Sequence, residues 1–126
     1  MKRLIAAGFI LFIVIGICIT ELFFLKNEVE TFKGDVTNIS NMVKNEKIDT
    51  AISETNAIIE KWQKRHTLMS SFIDHEPLKE IEINFNLMRA NLEQDEVEEF
   101  FFETQEALIN LEHLNVTEQP LLGNIL

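Results

Sequence analysis

The chain has one cysteine, two prolines, four glycines and no tyrosine in 126 residues. A lone cysteine excludes an intrachain disulfide and a cysteine-based zinc site, so stability has to come from packing. So few glycines and prolines leave little material for β-turns, and none of it forms a glycine-rich phosphate loop. No serine stands in a nucleophile elbow. The three histidines, His66, His75 and His113, share no motif with ligand spacing. Carboxylate pairs abound in so acidic a chain, so none of them singles out acid–base chemistry. These absences predict a non-enzymatic, nearly all-α protein without metal or other cofactor.

Basic residues are scarce as well, 11 Lys and Arg against 21 Asp and Glu. Lys2 and Arg3 are the bases and Glu21 the acid before residue 26, which leaves 20 acidic against 9 basic residues beyond it. Such a surface repels nucleic acid and anionic lipid. The plain reading is a solvated helical exterior. The sharper one is a site for a basic partner or loosely held divalent cations.

What is present begins with grease. Lys2 and Arg3 precede an apolar run from Leu4 to Ile19; Thr20 and Glu21 interrupt it, and Leu22-Phe23-Phe24-Leu25 resumes it. As a helix, Leu4 to Leu25 would span about 33 Å, against about 30 Å for a bilayer core. Glu21 would then reach water near one interface. The positive-inside rule puts the short N-terminus in the cytoplasm and the rest outside, with Lys26 and Lys33 as counter-evidence. The expectation is a transmembrane signal-anchor over residues 1–25 of a single-pass cell-membrane protein. A cleaved signal peptide needs small residues after the apolar core, which Ile17-Cys18-Ile19-Thr20 does not supply. Ile17 is also bulky where a lipidated cysteine usually follows a small residue. A type IV pilin-like start would need a Glu soon after Gly8-Phe9.

Four apolar seams follow, each stepping by three and four residues. The first is Leu22, Leu25, Val29, Phe32, Val36, Ile39 and Val43, so the membrane helix continues outward, with Gly34 as a weak spot. The second is Ile48, Ile52, Thr55, Ile59, Trp62, His66, Met69 and Ile73, widened by Ala51, Ile58, Leu68 and Phe72. The third is Leu78, Ile81, Phe85, Met88 and Leu92. The fourth is Val97, Phe101, Thr104, Leu108 and Leu111, supported by Phe100, Ala107 and Leu114. Expected helices cover about 22–44, 46–72, 77–93 and 95–114, within an acidic domain over 26–115. Asn45 reads as an N-cap, Asp95 with Glu98 as a capping box, and Pro77 as the first residue of its helix. An apolar tail, 116–126, carries Leu121, Leu122, Ile125 and Leu126, and docks on the domain or on a partner.

Shifting the sequence by 49 residues lays Asn45-Glu46-Lys47-Ile48 over Gln94-Asp95-Glu96-Val97 and Thr55 over Thr104. Phe32, Val36, Ile39 and Val43 fall on Ile81, Phe85, Met88 and Leu92. Two similar antiparallel hairpins are predicted, packed as a four-helix bundle or a short TPR-like solenoid.

Candidate sites lie off the seams. Ile83 and Leu87 share a face of the third helix, and Phe102 and Ile109 share one of the fourth. With Leu121, Leu122, Ile125 and Leu126 they form a candidate interaction face for another membrane or envelope protein. The alternative is that one hairpin packs on the other with these faces. Self-association stays open. His66, on a seam, reads as a core histidine with one hydrogen bond, or as a pH sensor. His75, in Asp74-His75-Glu76, reads as part of a helix cap, or as a second pH-sensitive group; His66 or this turn would then report a ligand or pH through a membrane partner. His113 suits the C-terminal end of its helix. Thr55 and Thr104 can bond back to a carbonyl one turn earlier. Two triplets beginning at Asn38 and Asn115 have the form of glycosylation sequons.

From Trp62 onward the chain resembles a small bacterial family catalogued as domain-of-unknown-function family 4363. The carrying residues are Trp62, Phe72-Ile73-Asp74-His75-Glu76, Leu78-Lys79-Glu80-Ile81 and Asn124-Ile125-Leu126. The basic start, single membrane segment and acidic helical domain also agree, while Ile48 stands where an aromatic is expected. The resemblance implies a Gram-positive, often spore-forming host and no known activity. It also implies a gene beside that of a multi-pass membrane protein, which suits an accessory subunit.

Overall fold

The computed structural model describes residues 1–70 and 73–125, with the side chains of residues 21, 22 and 115–125 excepted. It consists of four α-helices: α1, Lys2–Lys44; α2, Ile48–Met69; α3, His75–Glu93; and α4, Val97–Ile125. No strand occurs among the described residues. α1 packs on α2, α2 on α3, α3 on α4 and α4 on α1, which closes an up-down-up-down bundle and not a solenoid.

α1 is one helix of 43 residues, about 65 Å long. Its first half carries apolar residues outward: Leu4, Phe9, Phe12 and Ile17 are all more than half exposed. This helix is long and apolar enough to cross a membrane. Past Leu25 it changes role without a break and runs straight on through Gly34. Leu25, Val29, Phe32, Val36, Ile39 and Val43, all buried, supply its quarter of the core.

The core follows the seams. The third seam is buried throughout, and Phe32, Trp62 and Phe85 meet at its centre. Trp62 stands edge-on to both phenyl rings, at 4.9 and 5.6 Å, and its indole N–H donates to the Leu78 carbonyl at 3.2 Å. The polar end of the largest buried side chain is thereby satisfied, which burial demands. On α4 the buried line is Phe100, Thr104, Ala107, Leu111 and Leu114, with Val97, Phe101 and Leu108 only partly covered. The expected seam is thus rotated slightly toward Phe100. Leu68 does not widen the second stripe but is 54% exposed.

The 49-residue repeat holds in three dimensions. In the first turn the Glu46 N–H donates to the Val43 carbonyl and Lys47 N–H to Met42, at 3.0 and 2.9 Å. In the second, Asp95 donates to Leu92 and Glu96 to Asn91, at 3.2 and 2.8 Å. Both are Schellman closures around a left-handed residue, Glu46 with φ 63 and Asp95 with φ 61. Asn45 is therefore the C-cap of α1 and not an N-cap, and Asp95 closes α3 instead of opening a capping box. Thr55 and Thr104 each bond back one turn, to Ala51 and Phe100, at 2.7 and 2.8 Å. A pseudo-two-fold relates the hairpins. Lys33 of α1 meets Glu112 of α4 at 2.7 Å, and the corresponding Glu82 of α3 meets Gln63 of α2 at 3.4 Å.

Other boundaries differ from expectation. α3 begins at His75, so Pro77 occupies its third position, where an N–H would still lack an intrahelical acceptor. α2 ends at Met69; Ser71 and Phe72 lie outside the described residues. α4 continues past Asn115 to Ile125, since neither Gly nor Pro interrupts 115–119 and Pro120 removes only one backbone donor. His113 consequently lies well inside α4 and not in its last turn.

Candidate functional site

The off-seam apolar residues of α3 and α4 come together. Glu80, Ile83, Asn84 and Leu87 follow i, i+3, i+4, i+7 spacing and so form one strip of α3. Glu106, Ile109 and Asn110 form the facing strip of α4. Between them runs an open groove of about 430 Å³ on the outside of the second hairpin. Ile83, Leu87 and Ile109 are 47, 41 and 53% exposed. Phe102, 65% exposed, lies two turns before Ile109 and extends the strip along α4. The alternative of one hairpin covering the other with these side chains is not what the fold does.

The groove floor is polar and internally satisfied. Asn84 is 4% exposed. Its amide nitrogen donates to Glu103 at 3.1 Å and Glu106 at 3.4 Å, and its carbonyl accepts from Asn110 at 2.7 Å. Sequence reading missed both asparagines. The available signal was the repeat: 49 residues earlier the same two places hold Asp35 and Lys61, an ion pair at 3.1 Å. An amide pair in one hairpin replaces a charge pair in the other.

The apolar residues show the sharper contrast. Ile83, Leu87, Phe102 and Ile109 correspond to Gly34, Asn38, Ser53 and Glu60, all exposed. The outer groove of the first hairpin, about 390 Å³, is lined by Asp35, Asn38, Asn41, Asn45, Lys47, Glu54 and Lys61 together with Ile39, Met42, Ala57 and Ile58. The contrast therefore lies at the four exposed positions, where the first hairpin closes with Gly34, Asn38, Ser53 and Glu60.

Electrostatics differ in the same direction. No Lys or Arg lines the α3–α4 groove among the described residues. From Ala90 to Leu126 the chain holds nine carboxylates and no Lys or Arg. Glu112 is engaged by Lys33, whose pKa is raised, chiefly by that hydrogen bond. On the first hairpin Lys61 and Arg65 already face Asp35 and Glu28. Glu28 is largely buried, and among the described residues its Oε2 accepts no hydrogen bond although Arg65 lies 3.6 Å away.

At the end of the bundle away from the two Schellman turns, the α2–α3 connection brings the two expected pH-sensitive residues together. His66 Nε2 and His75 Nδ1 are 3.1 Å apart, with the rings near parallel. Glu82 lies 3.8 Å from the other nitrogen of His66. His66 is half-buried and His75 exposed. Nothing in the sequence marks this contact, since it depends on how the connection folds back. Among the described residues no three His, Cys, Asp or Glu side chains are grouped to hold a metal. The side chains of Leu121, Leu122 and Ile125, and the whole of Leu126, lie outside the described residues.

Comparison with curated proteins and with solved structures finds no match. A family described as "Domain of unknown function (DUF4363)" matches residues 19–125, that is, the whole bundle and the end of the apolar segment. The match covers well over half of the chain, and the protein belongs to this family.

Proposed function

We propose that the protein is a non-enzymatic, membrane-tethered helical subunit that docks on another envelope membrane protein through the outer face of α3 and α4. The N-terminus is cytoplasmic, in keeping with Lys2 and Arg3, and the bundle is extracytoplasmic. A tether confines the bundle to the membrane plane and raises its effective concentration near a membrane partner. One observation carries the reading: Ile83, Leu87, Phe102 and Ile109 are exposed where the corresponding places of a hairpin with the same turn and seam hold Gly34, Asn38, Ser53 and Glu60. Contiguous apolar surface that the fold does not need marks a contact site.

Photocrosslinking in native membranes tests it. A crosslinker at Phe102 or Ile109 is expected to capture a discrete protein, and one at Ser53 or Glu60 to capture none. Equal capture from both hairpins, or none from either, overturns the reading.

The His66–His75 contact supports a second reading, pH sensing through such a partner. The two facing ring nitrogens are 3.1 Å apart, so one must accept while the other donates, and Glu82 lies beside the other nitrogen of His66. Crosslinking from Phe102 should depend on pH in the wild type and lose that dependence in His75→Gln. The same pH profile in both would remove this reading.

A further inference from the structure

We infer that the occupant of the α3–α4 groove is a cationic amphipathic helix belonging to the partner; this rests on the docking reading above. The groove offers an apolar strip bounded by carboxylates. Glu80 and Glu106 stand on its two walls, and Glu103 lies beside them, held to the same Asn84 amide. A single amide bridging two carboxylates does not neutralise either of them. Any ligand that covers Ile83, Leu87 and Ile109 brings its own flanking groups within reach of these acids. A neutral or acidic flank would desolvate them without compensation, whereas Lys or Arg would pair with them.

The shape points to a helix. The exposed residues lie along two antiparallel helices at one-turn and two-turn intervals, Ile83 to Leu87 and Phe102 to Ile109. A third helix laid between two others meets residues at that spacing, as helix-in-groove ligands do. Phe102 to Ile109 covers about 10 Å, so two to three turns of ligand fill the site.

A second copy of the chain fits less well. Its surface beyond the apolar segment carries 20 acidic against 9 basic residues. Its most basic strip, on α2, holds Lys61, Lys64 and Arg65, of which Lys61 and Arg65 face Asp35 and Glu28 of their own chain. Docking that strip would disturb two ion pairs already made. Anionic lipid is repelled by the same carboxylates.

The test uses the full chain in uncharged detergent, with empty micelles as the blank. The probe is a fluorescent 15-residue helical peptide with a leucine ridge and lysine flanks; its counterpart carries glutamate flanks. Anisotropy should show the lysine peptide binding, about tenfold or more weaker to I83S/I109S. Binding should be several-fold weaker to E80Q/E106Q and at high salt. The paired change S53A/E60Q on the first hairpin should leave it unaltered. Equal binding of the glutamate peptide overturns the cationic assignment. So does lysine-peptide binding that ignores every groove variant, because it then reflects diffuse attraction. If neither peptide binds but Phe102 crosslinks a protein in membranes, docking stands and the cationic helix falls. If the chain instead self-associates and I109S makes it monomeric, the occupant is a second copy, which also overturns the proposal.

Discussion

The two hairpins match in their seams and turns and differ in what they expose. Their seams, their Schellman turns and their back-bonded threonines correspond at 49 residues. What differs lies on the outside and at a few positions within. The first hairpin extends into the apolar half of α1, closes its outer groove with Asp35 and Lys61, and puts Gly34, Asn38, Ser53 and Glu60 at the exposed positions around it. The second replaces the ion pair by Asn84 and Asn110 and surrounds it with Ile83, Leu87, Phe102 and Ile109. A duplicated scaffold thus acts as its own control. Features common to both halves belong to folding, and features of one half need another explanation.

That comparison can be broken by substitution. The largest effect is expected in the shared core, where the aromatic load is unequal: Trp62 occupies the place that Leu111 holds in the second hairpin. Trp62→Ala should cost about 3–5 kcal/mol by urea denaturation, since it leaves a cavity beside Phe32 and Phe85. Next come the paired floor positions. Asn84→Ala removes the buried amide's bonds to Glu103 and Glu106 and leaves the half-buried Asn110 amide without its acceptor, and should cost about 1–3 kcal/mol. Asp35→Ala opens a pair in which both side chains are more than a third exposed, and should cost under about 1 kcal/mol. Equal costs would mean that the two floors are not energetically distinct.

The turns give a smaller, positive effect. Glycine adopts a left-handed backbone without the Cβ penalty, so Glu46→Gly and Asp95→Gly should each stabilise by about 0.5–1 kcal/mol. The gain should be larger at Glu46, because Asp tolerates this conformation better than Glu.

Smaller still is the alkaline limb set by Lys33. Glu112 raises the pKa of this lysine in the folded chain. Its contribution is therefore complete below the unfolded lysine pKa, about 10.4, and is lost as pH rises through the folded value. Lys33→Met should flatten that limb of the stability curve, whereas Gln63→Met, on the corresponding contact, should leave it unchanged. The least effect on stability is expected from grafting the first hairpin's surface onto the second, with I83G, L87N, F102S and I109E. Apart from glycine's helix cost of about 1 kcal/mol, melting should hardly move, while crosslinked partner should disappear.

Much of this was legible in the residue pattern. Period-3.5 seams located four helices, and the repeat paired them, because burial of one face leaves a periodic trace in each segment. The off-seam residues Ile83, Leu87, Phe102 and Ile109 were visible as exceptions to the same pattern. Three things were hidden. Asn45 and Asp95 read as N-caps because those side chains favour that role, yet the short connections need a left-handed residue that glycine did not announce. Asn84 was hidden among the apolar residues of α3, and its role depends on Asn110, Glu103 and Glu106 of another helix. The His66–His75 contact spans a connection whose path no local rule gives.

The uninterrupted α1 has a mechanical corollary under the proposed topology. A rod without a hinge cannot let its outer part swivel while the part in lipid stays put. Any pull on the groove would then lean the buried shaft, and any change in bilayer thickness that leans the shaft would re-aim the groove. The bundle would sit on its tether like the head of a rigid lever, with the bilayer as fulcrum.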